Sequence, residues 1–164
     1  MEKVIKNCLC QHLISKNLLS PHQYGFVPGR STNSQLLVTL NDWQKSLDSG
    51  APIDIAYMDF KKAFDSVPHE RLLFKLSKYG ITGNLLKWIK DFLSCRTHFV
   101  KINDSKSACN NITSGVPQGS MLGPMLFIYF INELPVCSVT TKIFAGISYK
   151  INKLSEKVFC YLLT

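Results

Sequence analysis

Asp59 closes an apolar run, Ile55-Ala-Tyr-Met-Asp-Phe-Lys-Lys-Ala-Phe-Asp65. A carboxylate at the end of such a run can hold a hard divalent cation, which takes oxygen ligands. Read alone, the same residue also serves as a turn former. Asp65 stands just before Pro68 and can cap a helix. A second segment, Ser114-Gly-Val-Pro-Gln-Gly-Ser-Met-Leu-Gly-Pro124, puts Gln118 at the expected start of a helix opened by Pro117. Free N–H groups and the positive end of the helix dipole gather there. Gly115 and Gly119 permit close backbone approach. A plain helix cap would use the same residues. A third segment, Gly25-Phe-Val-Pro-Gly-Arg-Ser-Thr32, carries Arg30 on a Pro/Gly loop. His69 and His98 have no visible partner for acid–base work. Trp43 and Trp88 fit apolar stripes better than stacking platforms.

These residues need a scaffold, and hydrophobic periodicity outlines one. Residues 2–19 read as a helix with Val4, Ile5, Cys8, Leu9, His12 and Leu13 near one face; Ser20-Pro21 breaks it. The 25–30 loop leads into a second helix with Leu36, Leu37, Leu40, Trp43 and Leu47 at helical spacing and Gly50 at its C-cap. Residues 53–59 alternate as a strand. Pro68 starts a third helix, which Gly80 ends, with the stripe Leu72, Leu73, Leu76 and Tyr79. Thr82 caps a fourth, with Leu85, Leu86, Trp88, Ile89, Phe92 and Leu93. Residues 97–102 and 109–113 flank a turn-rich stretch and read as a hairpin. A helix from Pro117 to about residue 132 precedes a second hairpin, 142–145 with 148–151, turning near Gly146. The pattern implies an α+β fold, a small antiparallel sheet with helices packed on one face.

A chain of 164 residues is one domain or part of one, and 46% apolar residues suffice for a core. Lys and Arg outnumber Asp and Glu by 19 to 11, a net charge of +8 that favours a polyanionic partner, RNA or DNA, over a membrane. From 61 to 106 the count is ten basic to four acidic residues. Lys75, Lys78, Lys87 and Lys90 there sit opposite the apolar stripes, as a solvated face would place them. Cys8, Cys10, Cys95, Cys109, Cys137 and Cys160 form no C-x-x-C pair and read as reduced thiols filling the core. The longest apolar stretch, 121–131, is too short to span a bilayer, and the N-terminus lacks a signal-peptide core. A soluble intracellular protein of cytoplasm or nucleus, with no evident obligate protein partner, is expected.

The first two segments together resemble the polymerase palm of reverse transcriptases, most closely those of non-LTR retrotransposons. Gly25–Thr32 matches the Gly-Phe-Arg-Pro-Gly-Arg-Ser motif of their fingers, with Val27 in place of Arg. The resemblance covers residues from about 2 to 150. It implies fingers-side helices and loop over about 2–50, palm over about 51–150, and a divergent tail at 151–164. It implies an RNA template, a DNA primer and Mg²⁺. It makes Asp59 the first metal ligand, with the carbonyl of Phe60 beside it. Phe64 becomes a steric gate under the sugar, Gln118 and Gly119 part of the nucleotide pocket, and Arg30 a template contact.

Where that family places Phe-Ala-Asp-Asp, this chain reads Phe144-Ala145-Gly146-Ile147. Nucleotidyl transfer uses two divalent ions about 4 Å apart, held by converging carboxylates. Asp59 alone is inadequate for two such ions and a polyanionic triphosphate. The family's thumb and earlier finger strands also have no counterpart. The expectation is a truncated reverse transcriptase domain that is inactive. A non-catalytic basic nucleic-acid-binding module is the alternative, and a decayed reading frame without selected function is a third reading.

Overall fold

The computed structural model describes residues 1–51, 53–58, 60–134, 140–144 and 147–152. Asp59, Gly146 and the tail from 153 lie outside the described residues, as do Cys137 and Cys160.

Among the described residues five helices form, in the order the periodicity predicts: α1 (Glu2–Ser15), α2 (Thr32–Asp48), α3 (His69–Lys78), α4 (Gly83–Leu93) and α5 (Gly123–Ile131). The first three end alike. Asn17, Gly50 and Gly80 adopt left-handed φ of 50°, 69° and 85°. The next amide reaches back to Leu13 O, Ser46 O and Leu76 O respectively, the paired bonds of a Schellman motif. This motif stops α1 four residues short of its expected end. α2 starts on a reciprocal box, with Ser31 and Ser34 each bonding the other's backbone amide.

The core is a helix cluster. Leu9 and Leu13 of α1, Leu72, Leu73 and Leu76 of α3, Ile89 and Leu93 of α4, and nearly every residue of α5 are buried together. α5 is apolar all round because it is buried against both α1 and α3. Its polar groups are satisfied. Tyr129 donates its hydroxyl to Leu9 O at 3.0 Å. Asn132 accepts from Ser20 N at 2.9 Å and donates to Leu18 O at 2.8 Å and to the Tyr79 hydroxyl at 2.9 Å. Burial raises both phenols above the usual tyrosine range, Tyr129 most; for Tyr79 the bond from Asn132 opposes it and the nearby Glu133 carboxylate adds to it.

Three expectations change. α2 turns the other way: Gln35 and Thr39 are buried, while Leu36, Leu37, Leu40 and Leu47 are 54, 68, 47 and 60% exposed. Helical spacing identifies a stripe but not the neighbour it meets. Trp88 is half-buried at the rim, stacked on Phe92 with centroids 5.4 Å apart. The described cysteines are free thiols, and Cys8, Cys95 and Cys109 are exposed rather than core fillers.

β1 (Asp54–Met58), β6 (Thr140–Phe144) and β7 (Ile147–Asn152) make an antiparallel sheet in the order β1-β7-β6, with α2 against β6. The hairpin over 97–111 is built from two short ladders. β2 (Thr97–His98) pairs with β5 (Asn110–Asn111), and β3 (Lys101–Ile102) with β4 (Ser105–Lys106). Asn103, at φ 52°, begins its tight turn. The class is α+β. Among the described residues no helix is long and apolar enough to cross a membrane.

Candidate functional site

The loop that follows β1 coils on itself before it reaches α3. Lys62 takes φ 52°, and its carbonyl accepts from Asp65 N and Ser66 N at 2.9 and 3.0 Å. The coil presents its carbonyls to the 114–118 segment. Gly115 N donates to Val67 O and Val116 N to Phe64 O, both at 2.8 Å. Ser114 Oγ donates to Asp65 O at 2.9 Å, and Gln118 Nε2 to Asp65 Oδ1 at 2.9 Å. His69 closes the arrangement with Nε2 at 2.8 Å from Gly115 O. A carbonyl only accepts, so that ring nitrogen carries the proton. His69 thus has a positioning partner, which the sequence did not reveal. Gly115 is required here. Its φ is 92°, and a Cβ would fall 2.8 Å from Asp65 Cα and 2.8 Å from Asp65 O.

Gln118 is not at a helix start. α5 begins at Gly123, and Pro117–Leu122 is an irregular turn. Gly119, at φ 80°, reverses the chain, and Ser120 Oγ donates to Pro117 O at 2.8 Å while accepting from Gly123 N at 2.9 Å. The dipole argument for Gln118 therefore fails by five residues, because a side-chain bond replaces the first helical turn. Its amide is oriented instead by Asp65. The amide nitrogen donates to Asp65, which leaves Oε1 to accept from a ligand donor. Phe64 stacks on Phe127, centroids 4.6 Å apart at 20°, and meets the edge of Phe26 at 6.1 Å. Phe60 is half-buried at the start of the coil.

Phe26 links this coil to a cavity of about 510 Å³ between α1, the 24–32 loop and residues 120–125. Lys6, Tyr24, Phe26, Arg30, Ser31 and Met121 line it, with cations and aromatic faces interleaved. Phe26 holds φ 57° while 46% exposed, an uncommon backbone state for a bulky side chain. Glu2 pins the far wall, its Oε2 accepting from Met121 N at 3.0 Å. Sequence reasoning missed Glu2, Lys6, Tyr24 and Met121, which no short motif joins.

The third part of the site is the sheet's turn end. Met58, the last residue of β1, is opposite Ser148, and Phe144 is opposite Ile147. The exit of β1 and the turn of the β6–β7 hairpin therefore share one end of the sheet. Asp59 and Gly146 lie outside the described residues. Ile147 begins β7, and its hydrocarbon side chain offers no oxygen to an ion. Among the described residues no group of three or more His, Cys, Asp or Glu could hold a metal. Met58, Phe144, Ile147 and Ser148, the described residues at this end, carry no carboxylate.

The family described as Reverse transcriptase (RNA-dependent DNA polymerase) matches residues 1–161. The RNA-directed DNA polymerase from mobile element jockey of Drosophila melanogaster is 32% identical over 87% of this chain. The probable RNA-directed DNA polymerase from transposon BS of the same organism is 31% identical over 82%. The retrovirus-related Pol polyprotein from type-1 retrotransposable element R2 of Popillia japonica is 28% identical over 85%. This chain spans 16, 15 and 20% of their respective lengths.

Proposed function

This chain belongs to the reverse transcriptase (RNA-dependent DNA polymerase) family, and from that premise we propose that it is a nucleic-acid-binding member without polymerase activity. Its lineage is RNA-templated DNA synthesis in non-LTR retrotransposons. In this reading α1, the 24–32 loop and α2 are the fingers side, and β1 with the β6–β7 hairpin is the palm. One observation supports the loss of chemistry: Ile147 opens β7 opposite Phe144, at the sheet end where β1 finishes with Met58. Mg²⁺ chemistry there needs carboxylates from more than one strand. Gly146 and Ile147 supply none, so no step of transfer is assigned to this chain.

The nucleotide side keeps its groups. Phe64 would form the floor under a sugar, with Gln118 offering Oε1 to a sugar hydroxyl and Gly119 leaving the approach open. Phe60 would border Asp59. The cavity beside Arg30 has the character of a single-strand channel: Lys6 as a cation for a phosphate, and Tyr24 and Phe26 as base platforms. It supports retained template binding. With a net charge of +8, non-specific affinity of roughly 10⁻⁴ to 10⁻⁶ M at physiological salt is expected.

Primer extension on an RNA template with Mg²⁺ or Mn²⁺ tests the reading. No product is expected. Template-dependent product from the unmodified chain, abolished by Asp59→Ala, would overturn it. Salt-dependent binding of a primed RNA–DNA hybrid would support the binding reading, and its absence in dilute buffer would reject it.

A further inference from the structure

Arg30 lies on the cavity wall, and NH1 of its guanidinium turns back onto the chain that precedes it. Val27-Pro28-Gly29-Arg30 is a tight turn: Gly29 has φ 76°, and Arg30 N donates to Val27 O at 3.2 Å. Proline followed by a left-handed glycine is the type II pattern. The turn folds Arg30 back over the segment that precedes it. There its NH1 meets three carbonyls, Ser20 O at 3.3 Å, Pro21 O at 2.9 Å and Gln23 O at 2.5 Å. That nitrogen carries two hydrogens, so three acceptors saturate it. Its Cζ also lies 5.5 Å from the centre of the Tyr24 ring. Among the described residues no carboxylate pairs with it.

We propose that Arg30 is a positioning residue for template binding: it gathers the 20–23 carbonyls and thereby sets Tyr24 as a stacking platform, rather than contacting a phosphate. This rests on the template reading of the cavity. Two consequences follow from the guanidinium's shape. A lysine keeps the charge but not the planar fork or the ring stacking, so it cannot substitute. A group that touches no phosphate releases no counterion, so its loss leaves the salt dependence alone.

Fluorescence anisotropy of a labelled RNA–DNA hybrid with a single-stranded RNA overhang, titrated across a salt series, separates the two roles. The full chain is compared with Arg30→Ala, Arg30→Lys, Tyr24→Ala and the Arg30→Ala/Tyr24→Ala pair. Both Arg30 variants should bind about fivefold more weakly, with the log–log salt slope of the parent, and the double variant should be within about twofold of either single one, as coupled residues require. A slope lowered by about 0.7 in Arg30→Ala, with Arg30→Lys binding like the parent, would assign a phosphate contact and overturn the proposal. Unchanged affinity in Arg30→Ala, or fully additive losses, would also overturn it. Should the parent fail to bind the hybrid, the template reading falls and fluorine NMR of 3-fluorotyrosine protein judges the placement alone. A Tyr24 resonance that shifts in Arg30→Lys upholds the placement, and an unmoved one rejects it.

Discussion

The clamp between residues 64–69 and 114–118 is closed by five hydrogen bonds around a glycine with no room for a methyl group. At the turn end of the β6–β7 hairpin, by contrast, the proposed reading puts Ile147 at a position that takes a carboxylate in the family. The two regions answer to different constraints. Most of the clamp's bonds involve backbone groups, so changing a residue such as Gly115 disturbs the fold itself. A carboxylate at a hairpin turn does nothing for the ladder, so an Asp there can become Gly or Ile without touching the scaffold. In the proposed reading, chemistry is lost while the architecture stays enforced.

The largest effect should come from supplying what the hairpin lacks. Gly146→Asp with Ile147→Asp should create Mn²⁺ binding, read by calorimetry, that Asp59→Ala removes. Each metal-activating group is worth several kcal/mol of barrier, so the unmodified chain should fall below detection in primer extension. Absence of any new Mn²⁺ binding would break the pairing of β1's exit with the hairpin turn. Next, Gly115→Ala should cost about 2–4 kcal/mol in urea denaturation, since both the strained φ and the backbone clash act. Gly119→Ala has the strained φ, but nothing lies within 4 Å of its Cβ. It should cost only about 1–2 kcal/mol. Equal costs would show that close approach is not what the clamp needs.

The scaffold behind the clamp predicts a pH profile. Burial holds the Tyr129 and Tyr79 phenols protonated, with folded pKa values above those of the unfolded chain. Below about pH 10 neither state ionises them and they contribute no pH slope. Above it the unfolded chain binds fewer protons, so stability falls as pH rises. Tyr129→Phe should flatten that alkaline fall and cost about 1 kcal/mol at neutral pH for the bond to Leu9 O. A profile unchanged by the substitution would place the titrating group elsewhere. The smallest effect belongs to Asp65→Ala. The Asp65–Gln118 bond is exposed, so stability should drop by less than about 1 kcal/mol. The Gln118 side-chain amide protons should nonetheless shift in NMR spectra. Unmoved resonances would mean that Asp65 does not orient the amide.

Much of the scaffold was legible in the sequence. Apolar spacing located the five helices of the described residues, Gly50 and Gly80 marked two ends, and the strands expected at 142–145 and 148–151 form as the antiparallel pair β6 and β7. Directions were not legible. Nothing in the spacing of Leu36, Leu40 and Leu47 says which side of α2 meets another element. Nothing in Pro117-Gln118-Gly119-Ser120 says that a serine hydroxyl delays α5 to Gly123. The inward turn of Arg30 and the proton on His69 Nε2 depend on carbonyls brought together only by tertiary structure.

Two of the bonds that dock α1 reach across most of the chain. Glu2 meets Met121 at a sequence separation of 119, and Leu9 meets Tyr129 at 120. Contacts so distant cannot form until the intervening polypeptide exists, and they close slowly even then. During synthesis α1 emerges before the segments it packs on, and its docking is complete only after α5 has followed. Leu9 and Leu13 wait uncovered while α3 and α4 can already pair, which gives nascent chains an interval of vulnerability that ends only with the emergence of α5.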